Sequence, residues 1–174
     1  MPFDIITVTP TLTTGAYADN EVLFTSTEIK LPHNKCQLVS LSAIFTDTDT
    51  DTSDAVEQND KEIIVMFFKE NTHQLGTIAD GAPSITGAQI ATNVSLGAVR
   101  LVNSTGSGEA SLGVPSIFGG QAPNDRSAAS SSLPKLILAE GSTKNTCYIQ
   151  GLYEVGSADT YEASDLVITI GVKY

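Results

Sequence analysis

The seven residues Glu62-Ile63-Ile64-Val65-Met66-Phe67-Phe68 constrain this chain more than any other stretch. Side chains alternate across a strand, so an apolar run of this kind is apolar on both faces. That marks a central strand covered on both sides. A two-layer sandwich covers only one face of each sheet, so a helix, a long loop or a neighbouring subunit has to cover the other.

The rest of the chain supports an all-β reading. Ser and Thr make up 37 of the 174 residues, and the apolar segments are short, β-branched and bounded by Gly, Pro, Asn or Asp. Phe3–Leu12 alternates, with Ile6 and Val8 on one side and Thr7 and Thr9 on the other. Pro10 cannot donate to a ladder and places this strand at an edge. Thr14–Asn20 reads as a connecting loop. Strands follow at Glu21–Leu31 and Cys36–Thr46, the latter with Val39, Leu41, Ala43 and Phe45 on one face and Ser40 and Ser42 on a wet one.

After Glu62–Phe68, Ser84 is the expected cap of a short helical turn through Ile85, Ala88, Gln89 and Ile90. Further strands are expected at Leu96–Val102, Leu133–Glu140, Asn145–Glu154 and Asp165–Lys173. Gly141–Lys144 and Gly156–Asp159 read as turns. The expectation is one domain over residues 1–174, an all-β, jelly-roll-like sandwich of about eight strands with little helix. Its long Gly/Ser/Ala-rich loop spans 103–132. Leu112, Val114, Ile117 and Phe118 give that loop an apolar cluster and make it a candidate partner-binding segment. The open alternative is a loop packed onto its own sandwich.

Charge and composition exclude several classes of function. Nine Lys and Arg stand against 20 Asp and Glu, a net charge of −11, and the few basic residues are scattered. This argues against nucleic acid and anionic membrane as partners. No apolar run is long enough to span a bilayer, and the first residues do not read as a secretory signal. A domain of this length buries enough surface to need no disulfide or metal staple. Cys36 and Cys147, 111 positions apart, have no metal or redox spacing and read as buried thiols. Sequence leaves open whether they are bridged.

Templates for catalysis fail. The chain has no Gly-x-Ser-x-Gly, dinucleotide or Walker-type loop, and neither His33 nor His73 has a carboxylate or Cys beside it. The chain is expected to be non-enzymatic and to need no cofactor. Asp47, Asp49 and Asp51 share a face if extended, as a Ca²⁺ site would want. A calcium loop started at Asp47, however, would need Gly and Glu where Thr52 and Gln58 stand, so an acidic surface loop is expected. Aromatic platforms for sugar are thin: Trp is absent, and Tyr148 and Tyr153 fall on opposite faces of one strand.

Thr7-Val8-Thr9-Pro10-Thr11-Leu12-Thr13-Thr14-Gly15-Ala16-Tyr17-Ala18-Asp19 resembles the opening of a family of small virion proteins of tailed bacteriophages. The similarity continues through Ile44–Asp49 and Glu62–Phe68, then Leu138–Thr143, Leu152-Tyr153-Glu154 and Tyr161–Leu166. It departs at Gly15, where the family commonly has Ser, and in the longer acidic turn Asp47–Asp60. The resemblance implies a capsid decoration (cement) protein, made in the host cytoplasm and located on the virion. Its partner would be the major capsid protein, and a homotrimer is the favoured state. A tail, fibre or head-surface module binding a host glycan is the alternative.

Overall fold

The computed structural model describes residues 2–45, 62–102, 136–155 and 159–174. The chain forms an all-β sandwich with one short helix. Its elements are β1 (Phe3–Val8), β2 (Gly15–Tyr17), β3 (Glu21–Lys30), β4 (Lys35–Phe45), β5 (Glu62–Phe68), α1 (Gly87–Asn93), β6 (Ser95–Val102), β7 (Ile137–Ala139), β8 (Thr146–Val155), β9 (Asp159–Tyr161) and β10 (Leu166–Lys173).

One four-stranded sheet has the order β1-β10-β4-β7 and the other β3-β8-β5-β6, while β2 and β9 form a small ribbon. The pairing is nested: β1 with β10, β2 with β9, β3 with β8, β4 with β7 and β5 with β6, all antiparallel. A single long hairpin has in effect been rolled into two layers, which is the jelly-roll arrangement. The core between the layers is dry. Phe24, Ile63, Val65, Phe67, Ile149, Tyr153, Ile168 and Ile170 are all at most 2% exposed.

Both faces of β5 are covered, and the chain covers the second one itself. Ile63, Val65 and Phe67 point into the inter-sheet core, while Phe68 forms a second cluster with Val22 and Leu75. Met66, Ile85, Ile90 and Leu152 pack against that cluster. The cover is the β5–β6 connection, residues 69–94, which crosses the outer face as loop and helix. Two fully buried amides fasten it down. Gln150 Oε1 accepts from the Leu75 amide at 2.7 Å, and its Nε2 donates to the His73 carbonyl at 3.1 Å. Asn93 exchanges two hydrogen bonds with the His73 backbone. At the far side the connection reaches β3, where the Ala79 amide donates to the Val22 carbonyl at 3.1 Å.

Several local expectations need correction. The helix is capped by Thr86 rather than Ser84, with Thr86 and Gln89 forming a reciprocal capping box. Thr14–Asn20 is more than a loop, because it contains β2, and Asp159 begins β9 rather than ending a turn. Along β4 the buried set is Cys36, Leu38, Leu41 and Ala43, so Val39 does not share a face with Leu41 and Ala43 as expected. The cause is a bulge. Gly171 pairs with Ser40 but Val172 pairs with Leu38, leaving Val39 as the extra residue that shifts the alternation by one. The other readings of this region stand: β1 is an edge strand with Ile6 and Val8 toward the core, and Ser40 is exposed.

The two ends of the sandwich differ. Chain termini and the β3–β4 and β7–β8 turns meet at one end: Tyr174 N donates to the Pro2 carbonyl, Glu140 N to Asn34 and Leu31 N to Asn145. Gly141 belongs to the same end, and a Cβ there would lie 2.0 Å from the Lys69 carbonyl oxygen, so only glycine fits. By register, Glu21, Glu62, Val102 and Val155 lie at the opposite end.

Candidate functional site

Two regions of the surface carry chemistry worth weighing. At the end holding Glu62, Arg100 lies across the outer face of the second sheet. Its side chain is only 2% exposed, with NH2 paired to Glu62 and Nε 2.9 Å from Glu154 Oε2, although the latter contact is not aligned as a hydrogen bond. The residue sits on β6, pairs with Ile64 of β5 and reaches over that strand to β8. One guanidinium therefore clasps three strands between two carboxylates. Beside it is an open pocket of about 120 Å³ lined by Asn20, Ile64, Pro83, Leu152, Tyr153 and Glu154. It is too small for a drug-sized ligand. Glu62 and Glu154 are held against Arg100, so this region reads as a structural clasp.

The second region is the end where the termini meet. Here His33 is exposed and stacks on Tyr174, with ring centroids 6.2 Å apart and planes within 8°. His73 contributes its backbone to the amide network rather than its ring to a site. Among the described residues no group of three or more His, Cys, Asp or Glu could hold a metal ion. No helix among them is long and apolar enough to cross a membrane.

The tyrosines divide as the strand period requires. Tyr153 points into the core and Tyr148 out of it. Tyr153 joins Tyr17 and Tyr161 in a buried cluster with ring centroids 5.4–6.4 Å apart. The Tyr17 hydroxyl accepts from the Thr13 amide at 2.9 Å, and burial raises its pKa. These three rings form part of the framework and offer no platform to a sugar. Asn93, part of a formal glycosylation sequon, is fully buried.

Cys36 and Cys147 are buried, unbridged thiols. Burial, with Cys36 nearby, pushes the Cys147 thiol up to about 12, and burial also raises Cys36. The unfolded thiols ionise near pH ~8.5. The unfolded chain therefore loses these protons first as the pH rises, and the folded state loses stability. This contribution is fully present below about pH 8.5 and declines as the pH rises toward 12. Thiol reagents should leave the native protein unlabelled at pH 7–8 and label both cysteines once it unfolds. Melting temperature should fall above pH 9 less steeply in Cys147→Ala than in the parent.

The sequence-based partner-binding residues Leu112, Val114, Ile117 and Phe118 lie outside the described residues, as do Asp47, Asp49 and Asp51. Of the described residues in the segments that carry the resemblance, some occupy framework positions, while Thr7, Thr9, Ala18, Asp19, Ser142, Thr143 and Ser164 are exposed. Tyr17 and Tyr161 belong to the tyrosine cluster, Leu138 is in the core and Glu140 accepts from the Asn145 amide. Asp165 accepts from the Glu162 amide at 2.6 Å. Sequence reasoning gives Arg100, Asn93 and Gln150 no structural role. A lone Arg inside an otherwise apolar strand of an acidic chain was the available signal for the first. No family model matches this chain, and no curated protein matches it.

Proposed function

We propose that this chain is a non-enzymatic structural protein of a tailed-bacteriophage virion. In this reading it is a capsid decoration protein that binds the outer surface of the assembled head. The observation that supports the reading is the framework role of five of the residues that carry the resemblance. Tyr17, Leu138, Glu140, Tyr161 and Asp165 all build turns or core. Turns and core held in this way make a rigid scaffold, which is what a cement protein presents to a lattice.

The mechanism is mass action. A protein that binds the closed lattice and not its separated subunits stabilises the lattice by the free energy of binding. A homotrimer, with Leu112, Val114, Ile117 and Phe118 serving partner contacts, completes the proposal; both elements rest on the resemblance and on composition. Heads assembled without the protein should be complete but should open at lower temperature or under osmotic shock, and adding the purified protein should restore them. Failure of heads to assemble at all without it would replace this reading with an essential building role.

A further inference from the structure

Charge on this molecule is sorted by position. All five described lysines, Lys30, Lys35, Lys69, Lys144 and Lys173, lie at the end where the termini and the β3–β4 and β7–β8 turns meet. Glu21, Glu62, Glu154 and Glu162 lie at the other end, with Arg100 as the one described basic residue there. Lys35, Lys69, Lys144 and Lys173 make no ion pair among the described residues. The carboxylates at the lysine end are tied up locally. Asp4 accepts from the Ile5 amide, Glu28 pairs with Lys30 at 2.6 Å, Glu70 accepts from the amide and hydroxyl of Ser142, and Glu140 accepts from Asn145.

Exposed apolar side chains gather in the same place. Phe3 (57%), Ile5 (59%), Ile137 (48%) and Tyr174 (41%) are four of the five large exposed hydrophobic residues described. Register puts Phe3, Lys173, Gln37 and Ile137 in one row across all four strands of the first sheet, so their side chains share its outer face. In the next row Ile5 pairs with Gly171, where a Cβ would lie 3.2 Å from the Phe3 ring, so the ring leans over the bare glycine. Phe3 and Ile137 sit on the two edge strands with Lys173 and Gln37 between them, so apolar and basic side chains are interleaved on one face. The apolar side chains among the lysines favour a protein surface, which offers apolar as well as acidic groups, over a polyphosphate backbone.

We propose that this end of the first sheet's outer face, which presents Phe3, Ile5, Ile137 and Tyr174 together with Lys35 and Lys173, docks on an acidic protein surface. The inference rests on the reading above in one respect, that the surface is the outer wall of the head. Among the described residues this is the end where the lysines gather, so it is the end with which a molecule of net charge −11 would meet an acidic wall. The acidic end then faces solvent.

The test uses heads assembled without the protein as the probe, and the full-length chain in four forms. These are the parent, Lys35→Glu with Lys173→Glu, Phe3→Ser with Ile5→Ser, and Glu162→Lys at the opposite end. All substituted sites are at the surface, and melting curves check that each form folds. Both double variants should bind at least about tenfold more weakly, with Glu162→Lys unchanged, and parental binding should weaken with salt. If the parent binds heads and both double variants bind equally well, the docking face is wrong while the head reading stands. If the parent does not bind heads, the head reading falls, and the face is judged on polyglutamate-coated surfaces against duplex DNA and phosphatidylglycerol vesicles. Retention on polyglutamate that is lost in Lys35→Glu with Lys173→Glu supports an acidic protein partner. No retention, or stronger binding to DNA or vesicles, overturns it.

Discussion

Arg100→Ala should destabilise the protein by about 3–5 kcal/mol, the range for breaking a buried ion pair from one side. The side chain is 2% exposed, and its removal leaves the Glu62 and Glu154 carboxylates, 18% and 16% exposed, without the cation between them. It also releases the tie that joins β6 to β8 across β5. Charge and packing can be separated by adding changes at the partners. Arg100→Met combined with Glu62→Gln and Glu154→Gln removes every charge while keeping most of the volume. That triple variant should recover most of the loss in urea unfolding. If Arg100→Ala alone costs under about 1 kcal/mol, the level of an exposed surface pair, the clasp does not hold the sheet.

Phe67→Ala and Phe68→Ala should each cost about 3–5 kcal/mol, since both rings are fully buried although they point to opposite sides of β5. Their consequences should differ in place. Phe67 packs in the inter-sheet core, so its loss lowers the stability of the whole sandwich. Phe68 packs under the connection 69–94, so its loss should first loosen that cover. Hydrogen exchange at the Leu75 amide, bonded to Gln150, should then quicken more in Phe68→Ala than in Phe67→Ala. Since the chain itself covers Phe68, neither substitution should shift an oligomer through exposure of this strand. Equal quickening at Leu75 in both variants would show that the cover and the core open as one unit.

Much of the sandwich was legible because β-structure writes a short-period signal. The doubly apolar Glu62–Phe68 announced a second covering layer, whereas the first strand ends at Val8, short of the expected Leu12, so its edge position does not follow from Pro10. The identity of the cover was hidden, because Leu75, Ile85 and Ile90 follow no period and act only through tertiary contact. The slip at Val39 was equally hidden, since a bulge is a property of two strands and β4 alone looks regular. The helix cap was readable and misassigned: Thr86 with Gln89 three residues later is the capping-box spacing, which Ser84 with Gly87 lacks. Arg100 was harder. Its carboxylate partners stand 38 residues before it and 54 after it, and only the register of β5, β6 and β8 brings them together. Phe3, Ile5 and Ile137 fall within expected strands and carry no further signal, because exposure belongs to the assembled sheet.

The nested pairing also sets an order of events in time. Closing a loop costs more as it lengthens, by about 1.5 kcal/mol between a span of some 30 residues and one of 160. The β5–β6 pair spans the shortest stretch of chain and β1–β10 nearly all of it. Once β5 and β6 meet, β4 and β7 are delivered near each other, then β3 and β8, so each outer pair closes only the remainder left by the pair inside it. Loop-closure entropy thus favours folding as a zipper from the middle of the chain outward. On this order the edge strand β1, with Phe3 and Ile5, should join last and leave first. Phe3→Ser with Ile5→Ser should then speed unfolding in a denaturant chevron and hardly change the folding rate.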